Sequence, residues 1–248
     1  MTEHVVDRLY NAMDEKKTPL CVGLDPNLAL FPNPLLAEVA EEFGIMVRDY
    51  DPQQGYNAAA EAIRRFNYEL ILAVADLVPI VKPQSAYYEQ YGSAGIAALE
   101  DTIKFAQEQG LMVDLDAKRN DIGRTSTAYA EAHLGQVLLP NGRYARSPDD
   151  ADMMTVNGYL GSDGIKPFVQ VCNRDGKGIF VLAKTSNKSS GELQDQRIQG
   201  EPLNTDELDG DLTRVLFEAG EEAYLTMARL IHDWGSESIG EQGYSNVG

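Results

Sequence analysis

Residues 111–123 read LMVDLDAKRNDIG, an apolar run that charged side chains enter at every second position before it ends in a turn. That period is the period of a β-strand, on which side chains two apart share a face. Met112, Asp114, Asp116 and Lys118 fall on one face, and Leu111, Val113, Leu115 and Ala117 on the other. The second face is apolar, as expected where helices cover the outside of a sheet, while the first gathers two carboxylates and an ammonium. A lone Asp-x-Lys at a strand end is more often a solvated ion pair. In a desolvated pocket the same pair is a costly arrangement that stability alone seldom selects. The neighbouring strands therefore decide between the two readings.

Working outward, the run 20–24 (LCVGL) closes on Asp25-Pro26, and 79–83 (PIVKP) carries Lys82 at its end. Further strands are predicted over 152–157 and 178–184, the last leading into Lys184-Thr185-Ser186-Asn187. Helical spacing predicts helices over 4–16, 58–77, 93–109, 124–134, 165–174 and 211–234, with a Pro- and Asn-rich loop before the second and a polar loop over 140–150. The last residues, 244–248 (YSNVG), read as a turn. Strands alternating with helices predict parallel βα units of the (β/α)8 TIM-barrel type, in a single domain over 1–248 with five strands present. Asp25, Lys82 and the Asp116/Lys118 pair close three successive strands. They would converge at the C-terminal end of such a barrel, where its active sites lie.

The chain has 248 residues, 43% of them hydrophobic and 24% charged, enough for a large core. Its formal net charge of −18 repels nucleic acid and anionic membranes, so neither is expected as a partner. Two cysteines, Cys21 and Cys172, support neither a disulfide framework nor a multi-cysteine metal site, and fit a reducing, cytoplasmic interior. The N-terminus MTEHVVDRLY lacks the pattern of a secretory signal, and no run approaches 18 apolar residues. His4, His133 and His232 show no metal-ligand spacing, so no metal is expected. Gly92 and Gly95 lack the G-x-G-x-x-G spacing after a strand, so no nicotinamide cofactor is expected, and no P-loop, G-x-S-x-G or H-E-x-x-H motif occurs.

Several segments resemble one family, orotidine 5′-monophosphate decarboxylase, in its longer bacterial-type branch. Residues 116–125 (DAKRNDIGRT) resemble its D-A-K-R-G-D-I-G-x-T segment and residues 81–89 (VKPQSAYYE) its V-K-P-Q-x-A-F-F-E segment. Val22-Gly23-Leu24-Asp25-Pro26, Thr155-Val156-Asn157 and Lys184-Thr185-Ser186-Asn187 follow in the family's order. The resemblance implies cofactor-free conversion of orotidine monophosphate to uridine monophosphate and carbon dioxide in pyrimidine biosynthesis, by a homodimer with shared active sites. It implies a Lys-Asp-Lys-Asp array of Lys82, Asp116, Lys118 and Asp121, the last supplied by the partner subunit, with Lys118 as the proton donor. It further implies ribose contacts from Asp25 and Lys82, a pyrimidine contact from Ser186, and Ile122 and Thr125 reaching across the dimer interface. The alternatives are another sugar-phosphate barrel, such as a hexulose-phosphate synthase, and a non-catalytic barrel fragment that pairs with another chain. The V-K-P-Q segment and Ser186-Asn187 speak against the first.

The chain departs from the family's pattern at Asn120, where Gly is usual, and at Gly158 and Lys188, where Pro is common. The family continues with three more strands and a phosphate-binding loop and arginine that are not found here. The expectation is thus a C-terminally incomplete barrel with unpaired sheet edges, inward residues such as Met112 and Leu182 wet, weak substrate binding and no stable monomer.

Overall fold

The computed structural model describes residues 3–46, 50–198 and 220–248. Five strands, β1 (Cys21–Leu24), β2 (Ile80–Pro83), β3 (Met112–Arg119), β6 (Met153–Val156) and β7 (Gly178–Val181), form one sheet in the order β1-β2-β3-β6-β7. Every neighbouring pair is parallel. The connections carry helices α2 (Asn33–Glu42), α3 (Pro52–Val74), α4 (Ala86–Glu89), α5 (Gly92–Glu108), α6 (Gly123–Leu134) and α7 (Ser162–Asp175), with α1 (Val5–Lys16) before the first strand and α8 (Ala223–Gly235) after the last. The part of the predicted 211–234 helix that covers 211–219 lies outside the described residues.

The alternation read from β3 becomes two separate apolar clusters. On the outer face Val81, Val113, Leu115, Met154 and Ile179 pack under Ile63, Ile103, Leu134 and Phe168 of the helices. On the inner face, at the N-terminal ends of the strands, Ile80, Met112 and Met153 receive Val5 of α1, flanked by Val6 and Leu9. This second cluster corrects one expectation: Met112 is only 7% exposed, because α1 seats its apolar stripe across the bottom of the sheet. Leu182 is half-buried. The helix is held there by polar ties. Arg8 donates to Asp152 at 2.8 Å and to the Gly176 carbonyl at 3.2 Å. The Asp7 carboxylate accepts the backbone N–H groups of Glu241 and Gln242, both at 2.9 Å.

The segment read as a terminal turn also differs. Val247 bridges Ile179 in parallel, with Ile179 N donating to Asn246 O at 2.9 Å and Val181 N to Gly248 O at 2.7 Å. These residues satisfy the backbone donors of β7 that a bare edge would leave open. Two further elements form where the sequence pattern predicts loop. Helix α2 begins with Pro34 in its first turn, where a missing N–H costs nothing, so the Pro-rich run marks a helix start. Residues Gln136–Leu138 (β4) and Tyr144–Arg146 (β5) form an antiparallel hairpin closed by Asn141-Gly142, with Gly142 at φ 77°.

Gly95, set aside as a cofactor motif, has a packing reason: a Cβ there would lie 1.9 Å from the Tyr88 carbonyl oxygen, so only glycine lets α4 and α5 meet. Among the described residues no helix is long and apolar enough to cross a membrane.

Candidate active site

The C-terminal ends of β2, β3 and β6 carry a polar cluster built on one carboxylate. Asp116, near the end of β3, is 6% exposed, and each of its oxygens has two donors. Lys82 of β2 reaches Oδ2 at 2.7 Å, and Gln84 donates to the same oxygen at 2.9 Å. Lys118 is ion-paired to Oδ1, which also accepts the Thr155 hydroxyl at 2.8 Å. The pair is thus buried on its Asp116 side, while Lys118 stays exposed. Burial pushes the Asp116 carboxyl toward its neutral form, but the bonds from Lys118, Lys82 and Thr155 outweigh it and hold its pKa down at about 2. Burial likewise works against the Lys82 ammonium, and the bond and charge of Asp116 raise its pKa nonetheless, with Asp25 adding to them.

Lys118 reaches this position through an irregular backbone. Pairing of β3 with β6 shifts between Leu115 and Arg119, and within that bulge Lys118 adopts φ 50°, a left-handed conformation that costs an L-residue of order 1–3 kcal/mol. Thr155 stabilises it: its Oγ1 accepts the Lys118 backbone N–H at 3.0 Å while its hydroxyl donates to Asp116. One side chain on the adjacent strand therefore fixes both members of the pair. Asn120, the departure from the family pattern, buries its amide against α7, where Gly164 leaves it room.

The remaining predicted residues stand apart from this cluster. The Asp121 carboxylate accepts the Ile122 N–H at 2.7 Å and has no bond to the array within the chain. Ile122 and Thr125 are exposed at the start of α6, Ile122 at 56%. Asp25 is exposed at the end of β1, in electrostatic reach of Lys82. Ser186 lies exposed on the loop after β7. That loop is pinned beside it: Gln194 accepts the Thr185 N–H and donates to the Thr185 hydroxyl, both at 2.8 Å, and Lys184 pairs with Asp195. Sequence reasoning named Thr155 and Gln84 only as parts of family segments. Strand alternation places Thr155 on the face of β6 that it shares with the inward Met153, but nothing in that pattern marks it as a partner of Asp116.

A cavity of about 560 Å³ opens at the opposite end of the sheet, lined by Arg8, Gln107, Arg146, Asp152 and Lys177 among others. Its cations are already matched, Arg8 to Asp152 and both Arg146 and Lys177 to Asp150, so it offers no free charge to a substrate. Among the described residues no cluster of three or more His, Cys, Asp or Glu could hold a metal ion.

Comparison with known proteins bears on the family and the fold. Residues 18–205 match the model of the orotidine 5′-phosphate decarboxylase / HUMPS family. An orotidine 5′-phosphate decarboxylase of Rhodopirellula baltica is 40% identical over 228 residues, covering 92% of this chain and 63% of its own. That of Streptomyces coelicolor is 41% identical over 187 residues, covering 75% of this chain and 56% of its own. The chain thus spans about three-fifths of the length of these two relatives. The crystal structure of a Streptomyces avermitilis protein provisionally given the same name superposes with a TM-score of 0.67 at 33% identity, over 96% of this chain and 67% of that one. The solved Leishmania donovani OMP decarboxylase gives 0.60 at 27% identity, over 94% and 66%. With its family segments placed on parallel strands of one sheet and Lys82 and Lys118 both on the Asp116 carboxylate, the chain belongs to the orotidine 5′-phosphate decarboxylase / HUMPS family.

Proposed function

We propose that the protein decarboxylates orotidine 5′-monophosphate to uridine monophosphate without a cofactor, as a cytoplasmic homodimer whose active sites are shared. The observation that carries the reading is the buried Asp116 carboxylate held between the Lys82 and Lys118 ammoniums. Breaking the bond from pyrimidine C6 to the carboxylate leaves its electron pair on C6 as carbon dioxide departs. An ammonium fixed beside that carbon stabilises the developing charge and then transfers a proton to it. Lys118 is suited to this: it is the more exposed of the two lysines, and its ion pair with Asp116 holds it in place. Water afterwards returns the proton to the amine.

Lys82 and Asp25 then serve the ribose and Ser186 the pyrimidine edge, while Asp121, Ile122 and Thr125 act on the neighbouring subunit's site. Their positions support this division: these last three sit at the exposed start of α6 and make no bond to the array of their own chain.

Substituting Lys118→Ala tests the reading. Product formation from orotidine monophosphate, followed by the loss of its orotate absorbance, is expected to fall at least about 100-fold, as when a positioned proton donor is removed. Calorimetric binding of uridine monophosphate should persist. Turnover within tenfold of wild type would overturn the assignment of Lys118.

A further inference from the structure

Asp114 is the charged residue of the inward face for which the proposed reaction has no task. It lies two residues before Asp116 on β3, is 5% exposed, and its Oδ1 has no hydrogen-bond partner among the described residues. A buried carboxylate without donors is costly, and such a group favours its neutral form. The sheet register sets Lys82 beside it, since Ile80 pairs with Met112 and Gln84 bridges Asp116. The Lys82 ammonium nevertheless goes to Asp116, at 2.7 Å.

The other groups around Asp114 offer it nothing better. From β1 the Cys21 thiol lies in its electrostatic reach, and Asp25 lies beyond, toward Lys82. From β3 itself come Asp116 and Lys118, both already paired to each other. On β6 its register partner is Met153, which does not titrate.

We propose that Asp114 is a positioning residue that remains uncharged in the working site and thereby leaves both ammoniums to Asp116, an inference that rests on the decarboxylase reading above. Two carboxylates and two ammoniums share one face. Were both carboxylates ionised, Asp114 would compete for Lys82 and draw it one layer down the barrel, taking a donor from Asp116. Carrying its proton, Asp114 presents no charge and cannot compete. Burial first, and then the negative charge of Asp116, raise its pKa to about 7 against the pull of Lys82 and Lys118. The neutral form therefore prevails below neutrality and is lost above it.

The pH profile of decarboxylation separates this role from a structural one. In wild type, kcat should be level below pH about 7 and fall at least about tenfold by pH 9, following loss of the required proton. Asp114→Asn, isosteric and permanently neutral, should keep the plateau within about threefold and lose this limb, with KM unchanged. An alkaline limb that survives in Asp114→Asn overturns the proposal. A second measurement needs neither turnover nor a folded variant: in wild-type protein with ¹³C-labelled aspartate carboxyls, the Asp114 resonance should titrate between about pH 6 and 8. A resonance already ionised at pH 5 overturns the proposal as well. Failure to decarboxylate at any pH would instead overturn the proposed reaction, and the carboxyl titration would then judge Asp114 alone.

Discussion

At the scale of the residue, one carboxylate organises the site, and its proton affinity makes it a term in stability. Asp116 binds its proton more weakly in the folded chain than an ordinary aspartate does, with a pKa of about 2. A depressed carboxylate stabilises the fold above its unfolded pKa and loses that contribution as pH falls through the folded value. Wild type should therefore lose roughly 2 kcal/mol from this group between pH 5 and 2, and Asp116→Asn should not, so the difference in their unfolding free energies narrows in acid. Denaturant unfolding at several pH values measures it. Thr155 bridges Asp116 and the strained Lys118 backbone through one hydroxyl. Thr155→Val leaves a backbone donor unpaired and should cost about 1–3 kcal/mol and lower turnover, whereas Thr155→Ser should retain both. Equal losses in the two variants would show that the hydroxyl is not what matters. The sequence exposed Asp116 and Lys118 because charge in an apolar run is conspicuous. It hid Thr155, whose threonine is unremarkable in any strand and acquires meaning only from the shifted register opposite.

At the scale of the element, the strand period told inside from outside and left the covering of the inside unread. The outward residues of β3 pack under helices as their alternation implies. The inward Met112 would be wet in an open sheet, but α1 crosses beneath it and places Val5, fully buried, against Ile80, Met112 and Met153. No local pattern in 4–16 says which surface its apolar stripe meets; that is settled by contacts distant in sequence, Arg8 with Asp152 and Asp7 with the backbone of Glu241 and Gln242. Helix α2 and the β4–β5 hairpin were missed for a more local reason. Proline and glycine mark helix starts and hairpin turns as readily as loops. Removing two methyl groups at Val5 tests the role of α1. Val5→Ala should cost about 2 kcal/mol and lower the melting midpoint by roughly 4–8 °C. A midpoint unchanged within 1 °C would show that α1 does not close the sheet in solution.

At the scale of the whole molecule, the question is how many chains make one site. With a net charge of −18 the surface as a whole repels an anionic nucleotide, so attraction must come from cations gathered locally. Among the described residues, Lys82 and Lys118 are the cations gathered on the inward carboxylate, and both are already matched to it. The fourth member of the expected array, Asp121, turns to its own backbone beside an exposed Ile122. If Asp121 serves the neighbouring chain, a heterodimer of Lys118→Ala and Asp121→Ala subunits contains one site with both lesions and one with neither. Each variant alone should then carry a lesion in every site. Random exchange makes half the dimers mixed, so an equimolar mixture should recover about a quarter of the wild-type rate. Recovery should appear at the rate of subunit exchange, which a size-tagged chain reports independently. No recovery after demonstrated exchange would place Asp121 and Lys118 in the same chain's site, and the carboxylate would then have to leave the Ile122 N–H to reach it.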